Sequence, residues 1–171
     1  MKLFNMLAVS VLAAAALSPA AAAPERAPRV RVQTIDDLAP LPLPYNEKAN
    51  AARDVAQARA RAKSARKLLL IDLGGNWCAD CRILASVMEQ PEMRPFMKRH
   101  YEIVSVDVGR FDKNMAIPKH YGFKKLDGVP AILIVDPGTD KVLNNKKIFA
   151  LADARSMTPQ ALADWLAGWT R

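Results

Sequence analysis

The sequence predicts an α/β fold: a central mixed sheet flanked by helices on both faces, with an extra helix ahead of the first strand. Two observations predict it. Apolar runs of strand length at 68–73, 101–108 and 129–136 alternate with stretches of helical period. After the third run, a Pro-Gly turn, a fourth strand-like segment and a final helix close the chain.

The 171 residues suffice for one domain with a real core. Residues 1–22 carry Lys2, an apolar run from Leu3 to Leu17, then Ser18, Pro19 and alanines. This is the plan of a secretory signal peptide, with cleavage expected near Ala20 to Ala23. The apolar run is short for a membrane span of about 20 residues. With no cysteine at the cleavage zone, a lipoprotein anchor there is excluded. Export places the mature chain in a periplasmic or secreted compartment, where disulfides persist.

Residues 23–45 hold Pro24, Pro28, Pro40, Pro42 and Pro44, which predict an extended leader. The domain is expected over 46–171. Its first element is a helix over 46–67, where Ala51, Val55, Ala58, Ala62 and Ala65 share one face. The other faces carry Lys48, Arg53, Arg59, Arg61, Lys63, Arg66 and Lys67, a local concentration of the +8 net charge. No aromatic residue interleaves them, and export argues against nucleic acid. A solvated face that steers acidic partners is the expectation.

LLLIDL, residues 68–73, reads as a buried strand that Gly74-Gly75-Asn76 ends. Helical period returns with Cys81, Leu84, Ala85 and Met88 on one face, and Pro91 stops it. EMRPFMKRH, residues 92–100, is a further short helical piece. YEIVSVDV, residues 101–108, is the second strand, followed by a loop and a helical segment over 115–121. VPAILIVD, residues 129–136, is the third strand. KVLNNKKIFA, residues 141–150, is expected as a fourth, antiparallel one. Thr158-Pro159 sets an N-cap and first-turn proline for the last helix, whose stripe is Leu162, Trp165, Leu166 and Trp169.

The only two cysteines, Cys78 and Cys81, lie in GGNWCADC between a strand and a helix. As a staple the pair closes a very small loop and constrains the unfolded chain little. A zinc site needs about four ligands. Only His100 and His120 remain to complete one, at spacings that match no usual site, so no metal is expected. An exported pair at a helix start reads instead as a redox couple. A thiolate is the attacking species in disulfide exchange, and a helix N-terminus favours it.

WCADC after a buried strand resembles the W-C-x-x-C motif of the thioredoxin family. Asp72 stands where the family has its buried acid, Val129-Pro130 resembles the segment of its cis-proline, and PKHYGF at 118–123 resembles the stretch before that proline. The resemblance covers roughly residues 66–171 and implies a thioredoxin fold. MEQPEM at 88–93 and the leading helix resemble the secreted branch and the reductase domain of membrane thiol-transfer proteins.

The resemblance implies a thiol–disulfide oxidoreductase of protein disulfides, acting as a reductant without a bound cofactor. Cys78 would attack, Cys81 would resolve, and Asp72 would accept the proton of Cys81. Trp77 would wall the disulfide, and the Val129-Pro130 loop would face it and pair with an extended substrate. Electrons would come from a membrane thiol-transfer partner, and a monomer is expected.

Three departures from the family stand out. The glycines at 74 and 75 predict a more open rim around Cys78. The lysine that partners the family's buried acid is missing from YEIVSVDV. Asp80, inside the CxxC ring, puts a negative charge beside the thiolate, favouring a reductant. Two alternatives stay open: a binding or chaperone-like module on the same fold, and a dedicated reductant in metal-site or cytochrome maturation.

Overall fold

Leu68–Gly74 forms β1, buried along its whole length, at the inside of a four-stranded sheet. The structure, a computed structural model, describes residues 23–38 and 41–170; the expected signal peptide lies outside them. The helix α1 (Ala51–Ala65) precedes β1, and α2 (Ala79–Met88) and α3 (Met93–His100) follow it. Then come β2 (Tyr101–Asp107), α4 (Ala116–His120), β3 (Ala131–Asp136), β4 (Lys141–Val142) and α5 (Pro159–Ala167).

The sheet order is β2-β1-β3-β4. β1 runs parallel to β2, with Asp72 opposite Ser105 and Gly74 opposite Asp107. It runs antiparallel to β3, with Asp72 opposite Ile132. The sheet is therefore mixed, as the alternation of elements predicts. The alternation of side chains along β1 divides the core. Leu69, Ile71 and Leu73 face α1 and α4, against Ala58, Ala62 and Ile117. Leu68 and Leu70 face α2, α3 and α5, against Leu84, Val87, Phe96, Leu162 and Leu166. Asp72 falls on this second side, beneath α2.

The alanine stripe works through Ala51, Ala58 and Ala62, which are buried, while Ala65 is exposed. α1 starts later than the sequence suggests because the Asn50 side chain accepts from Arg53 N–H and caps it there. Its cations are partly engaged within the chain. Arg59 meets Asp140 at 3.2 Å, and Arg61 meets Glu102 at 3.1 Å.

The fourth strand is much shorter than expected. Asn144 is buried, and its side chain takes the place of a strand partner for β3. Its Oδ1 accepts from Ile134 N–H at 2.9 Å, and its Nδ2 donates to the Ile132 carbonyl at 2.8 Å. Leu143 N–H still donates to the Ile134 carbonyl, and beyond it a side-chain amide that satisfies both backbone groups takes over from the ladder.

The proline-rich segment is extended, with one 3-10 turn at Asp36–Leu38, and it is packed onto the domain. Val30 and Leu38 are buried in the α5-side core. Gln160 on α5 accepts from Val30 N–H and donates to the Pro28 carbonyl. On α2, Ser86 donates to the Leu38 carbonyl, and Arg82 donates to the carbonyls of Leu41 and Pro42. The segment thus runs along the domain as a strap and ends at Tyr45, 3% exposed.

Candidate active site

β1 ends at Gly74, and the turn Gly75-Asn76-Trp77 leads into α2 with Cys78 as its N-cap. Cys78 has extended backbone angles, and its Sγ accepts the N–H of Cys81 at 3.1 Å. Any negative charge on this sulfur therefore meets an unpaired amide and the positive end of the helix. The two cysteines form a disulfide. Cys78 retains 5% exposure and Cys81 none, so only the first cysteine keeps any access to solvent.

Two residues singled out in the sequence lie next to Cys78, one in space and one along the chain. The Val129–Pro130 peptide bond is cis, and the Val129 carbonyl oxygen lies 3.5 Å from Cys78 Sγ. Trp77, 42% exposed, flanks the pair. Its Nε1 donates to the Gly109 carbonyl at 2.7 Å, the Arg110 guanidinium lies over its ring, and Phe111 meets it edge-on. Phe111 is itself 40% exposed, so the rim beside the disulfide is aromatic and cationic.

Asp72 is fully buried. Burial pushes its carboxyl up to about 7, although a hydrogen bond from Tyr45 opposes the rise. That bond runs from Tyr45 Oη to Asp72 Oδ1 at 2.8 Å. Among the described residues, Asp72 Oδ2 has no hydrogen-bond partner. The partner that the missing lysine left open is thus a tyrosine from the strap. No periodicity links positions 45 and 72. The signal in the sequence was the absence itself: a buried acid facing a strand without a cation needs a donor from elsewhere.

The open rim expected from the glycines is not found, because neighbouring side chains occupy the space. A methyl group on Gly74 would overlap the Tyr45 hydroxyl and lie 2.8 Å from Cys81 Sγ. One on Gly75 would lie 2.6 Å from Trp77 Nε1. Asn76 ties the strap down: its Oδ1 accepts from Tyr45 N–H, and its Nδ2 donates to the Tyr45 carbonyl at 2.8 Å.

Asp80 does not act alone either. It is buried, and Arg155 closes on it through its guanidinium and backbone N–H. Burial pushes the Asp80 carboxyl up, but these bonds outweigh it and hold the group below the usual carboxylate range. Among the described residues no cluster of side chains suited to a metal ion occurs, and no helix is long and apolar enough to cross a membrane.

A family model described as thioredoxin-like matches residues 49–137. A disulphide isomerase from Xylella fastidiosa Temecula1 is 38% identical, with a TM-score of 0.69 over 74% of this chain and 96% of that one. The C-terminal domain of Neisseria meningitidis DsbD, in its oxidised form, is 25% identical, with a TM-score of 0.41 over 58% of this chain and 91% of that one. None of the curated proteins compared with the chain matches it. The family model spans more than half of the sequence and contains the cysteine pair, so the chain belongs to the thioredoxin-like family and is a thiol–disulfide oxidoreductase.

Proposed function

We propose that this oxidoreductase is exported and reduces disulfides of protein partners, cycling Cys78 and Cys81 between dithiol and disulfide. One observation carries the reading: the less buried sulfur sits at a helix N-cap, while its fully buried partner shares the space over Gly74 with the tyrosine hydroxyl that bonds a carboxyl poised near neutrality. Export is supported by the signal-peptide pattern of residues 1–22. The similarity to a protein designated a disulphide isomerase supports protein disulfides as the substrate class.

In the first step the Cys78 thiolate attacks one sulfur of the substrate disulfide. The S–S bond breaks, the other substrate sulfur leaves as a thiolate and takes a proton, and a mixed disulfide joins Cys78 to the substrate. In the second step Asp72 accepts the Cys81 proton. The Cys81 thiolate then attacks Cys78 Sγ, and the second substrate thiolate leaves. Two electrons have passed to the substrate, and the Cys78–Cys81 disulfide has formed. The Val129 backbone, bordering Cys78, would pair with an extended substrate segment, with Trp77 as an apolar wall. A thiol-transfer partner, in the membrane on the compartment argument, would return the electrons.

Insulin-disulfide reduction by the fresh dithiol tests this. Turnover by the wild type and none after Cys78→Ser are expected. A wild-type dithiol without turnover would favour a binding module on the same fold.

A further inference from the structure

Tyr45 lies 27 positions before Asp72 and belongs to no helix or strand, yet it is held in place from several sides. Arg82 fixes the carbonyls of Leu41 and Pro42, and Asn76 brackets Tyr45 with two hydrogen bonds to its backbone. The ring is delivered over Gly74, where any side chain would collide with it. The Tyr45 hydroxyl and Cys81 Sγ both border that same vacant Cβ position.

We propose that Tyr45 is a positioning residue for Asp72: its hydroxyl occupies Oδ1 and leaves Oδ2, the buried oxygen without a partner, to take the proton of Cys81. This rests on the reading that Asp72 is the base for Cys81. A hydrogen bond donated to a carboxylate favours the charged form. Burial alone would keep Asp72 protonated, and a protonated carboxyl cannot act as a base. The Tyr45 bond offsets part of that burial.

Among the described residues no cation acts on Asp72; burial and the Tyr45 hydrogen bond are what shift it. Asp72 is opposite Ser105 on β2 and Ile132 on β3. From α2, Cys81 Sγ borders the same space over Gly74 as the Tyr45 hydroxyl, Asp80 is turned to Arg155, and Arg82 to the Leu41 and Pro42 carbonyls. Asp107 acts on Tyr45 but pairs with Lys113 at 3.3 Å. Burial and the charge of Asp72 hold the Tyr45 hydroxyl protonated, so it stays a donor at any working pH.

The test is Tyr45→Phe, read by stopped-flow reduction of a model disulfide from pH 5 to 10, with attack by Cys78 and resolution by Cys81 followed separately. The resolving step should reach its midpoint about one pH unit higher, a roughly tenfold loss on the acid side of the profile. Its rate should recover at high pH, and the attack step should not change. Infrared titration of the buried carboxyl in the oxidised protein should show the same upward shift independently of turnover. In an Asp72→Asn background, Tyr45→Phe should change nothing further. If Tyr45→Phe does not fold stably, Asn76→Ala, which frees the strap from the turn, should move the midpoint in the same direction. An unmoved midpoint in the folded variant overturns the proposal, even with lowered stability. An equal loss in the Asp72→Asn background also overturns it, since Tyr45 would then act independently. If Asp72→Asn itself leaves resolution intact, the base assignment fails, and the role of Tyr45 fails with it.

Discussion

The Arg155 guanidinium grips the Asp80 carboxylate with Nη2 2.6 Å from Oδ2 and Nε 3.0 Å from Oδ1 and 3.1 Å from Oδ2, and Arg155 N–H adds a fourth contact at 2.9 Å. The acid inside the CxxC ring is thereby matched by a cation 75 positions away. Its field at Cys78 is much weaker than the sequence alone implies, so Asp80 by itself does not argue for a reductant.

Arg155→Met should restore that field. The Cys78 thiolate would face an unpaired carboxylate, so its pKa should rise and the couple should become more reducing. Arg155 is largely exposed but Asp80 is buried, so the variant strands a buried carboxylate and should also melt lower than the wild type. Thiolate absorbance across pH and equilibration with glutathione check both effects. An unchanged thiolate titration would show that Asp80 does not sense Cys78. The pair also gives a pH signature. Because the Asp80 carboxyl is depressed in the folded state, its contribution is present above the unfolded value and is lost as pH falls through the folded one.

Asp72→Asn should separate the two chemical steps. Attack by Cys78 should survive. Resolution should slow by about 10²-fold or more near neutral pH, and the loss should shrink at high pH, where Cys81 ionises unaided. Stability should move the opposite way. A buried acid raised to about 7 binds its proton more tightly in the folded state, so the wild type should lose stability as pH climbs from the unfolded value to about 7. Asp72→Asn removes that slope and should melt higher at pH 8, by roughly 2–4 °C for each kcal/mol regained. Thermal melts of both oxidised proteins at pH 5 and pH 8 check it. A less stable variant with normal resolution would make Asp72 purely structural.

Cys81→Ala should trap substrates as mixed disulfides on Cys78, and Cys78→Ala should trap none. Non-reducing gels with a disulfide substrate read this directly. The reverse pattern would exchange the two roles, against the 5% and 0% exposures of the two cysteines.

Trp77→Ala should weaken binding of extended substrates and leave the thiol chemistry in place. The ring is 42% exposed and anchors the loop at Gly109 by its Nε1. Losing an aromatic wall of this kind costs about 1–2 kcal/mol, a roughly 5- to 30-fold rise in KM with kcat little changed. A fall in kcat alone would place Trp77 in the chemistry.

Arg59→Glu with Arg61→Glu tests whether α1 steers partners. Each reversal sets two acids together, at Asp140 and at Glu102, and should cost about 0.5–1 kcal/mol. Reduction of an acidic partner should slow at low salt and recover at high salt, with the redox potential unchanged. A shifted potential would connect α1 to the disulfide.

Much was legible in the sequence because it is local. A continuous apolar run such as LLLIDL must be buried, and Cys78 must stand at a helix start because the strand breaks at two glycines and helical period resumes at once. Asp72, Cys78, Cys81, Trp77, Val129 and Pro130 could be named because each sits in or beside a motif of its own. The short β4 was not legible. Nothing in LNN says that the Asn144 side chain will bond to Ile132 and Ile134 in place of a strand.

What the chain alone determined was the order of elements, the pairing of its cysteines with a helix N-terminus, and a buried acid left without a cation. The tertiary structure decided what meets that acid and its neighbour. Tyr45 reaches Asp72 only because a proline-rich strap is carried along α5 and α2, and Arg155 reaches Asp80 only because the turn before α5 lies against the start of α2. Both partners act over a few ångströms in space and many residues in sequence. A hydrogen bond or ion pair depends on the first separation and not on the second, which is why no spacing in the sequence could announce them.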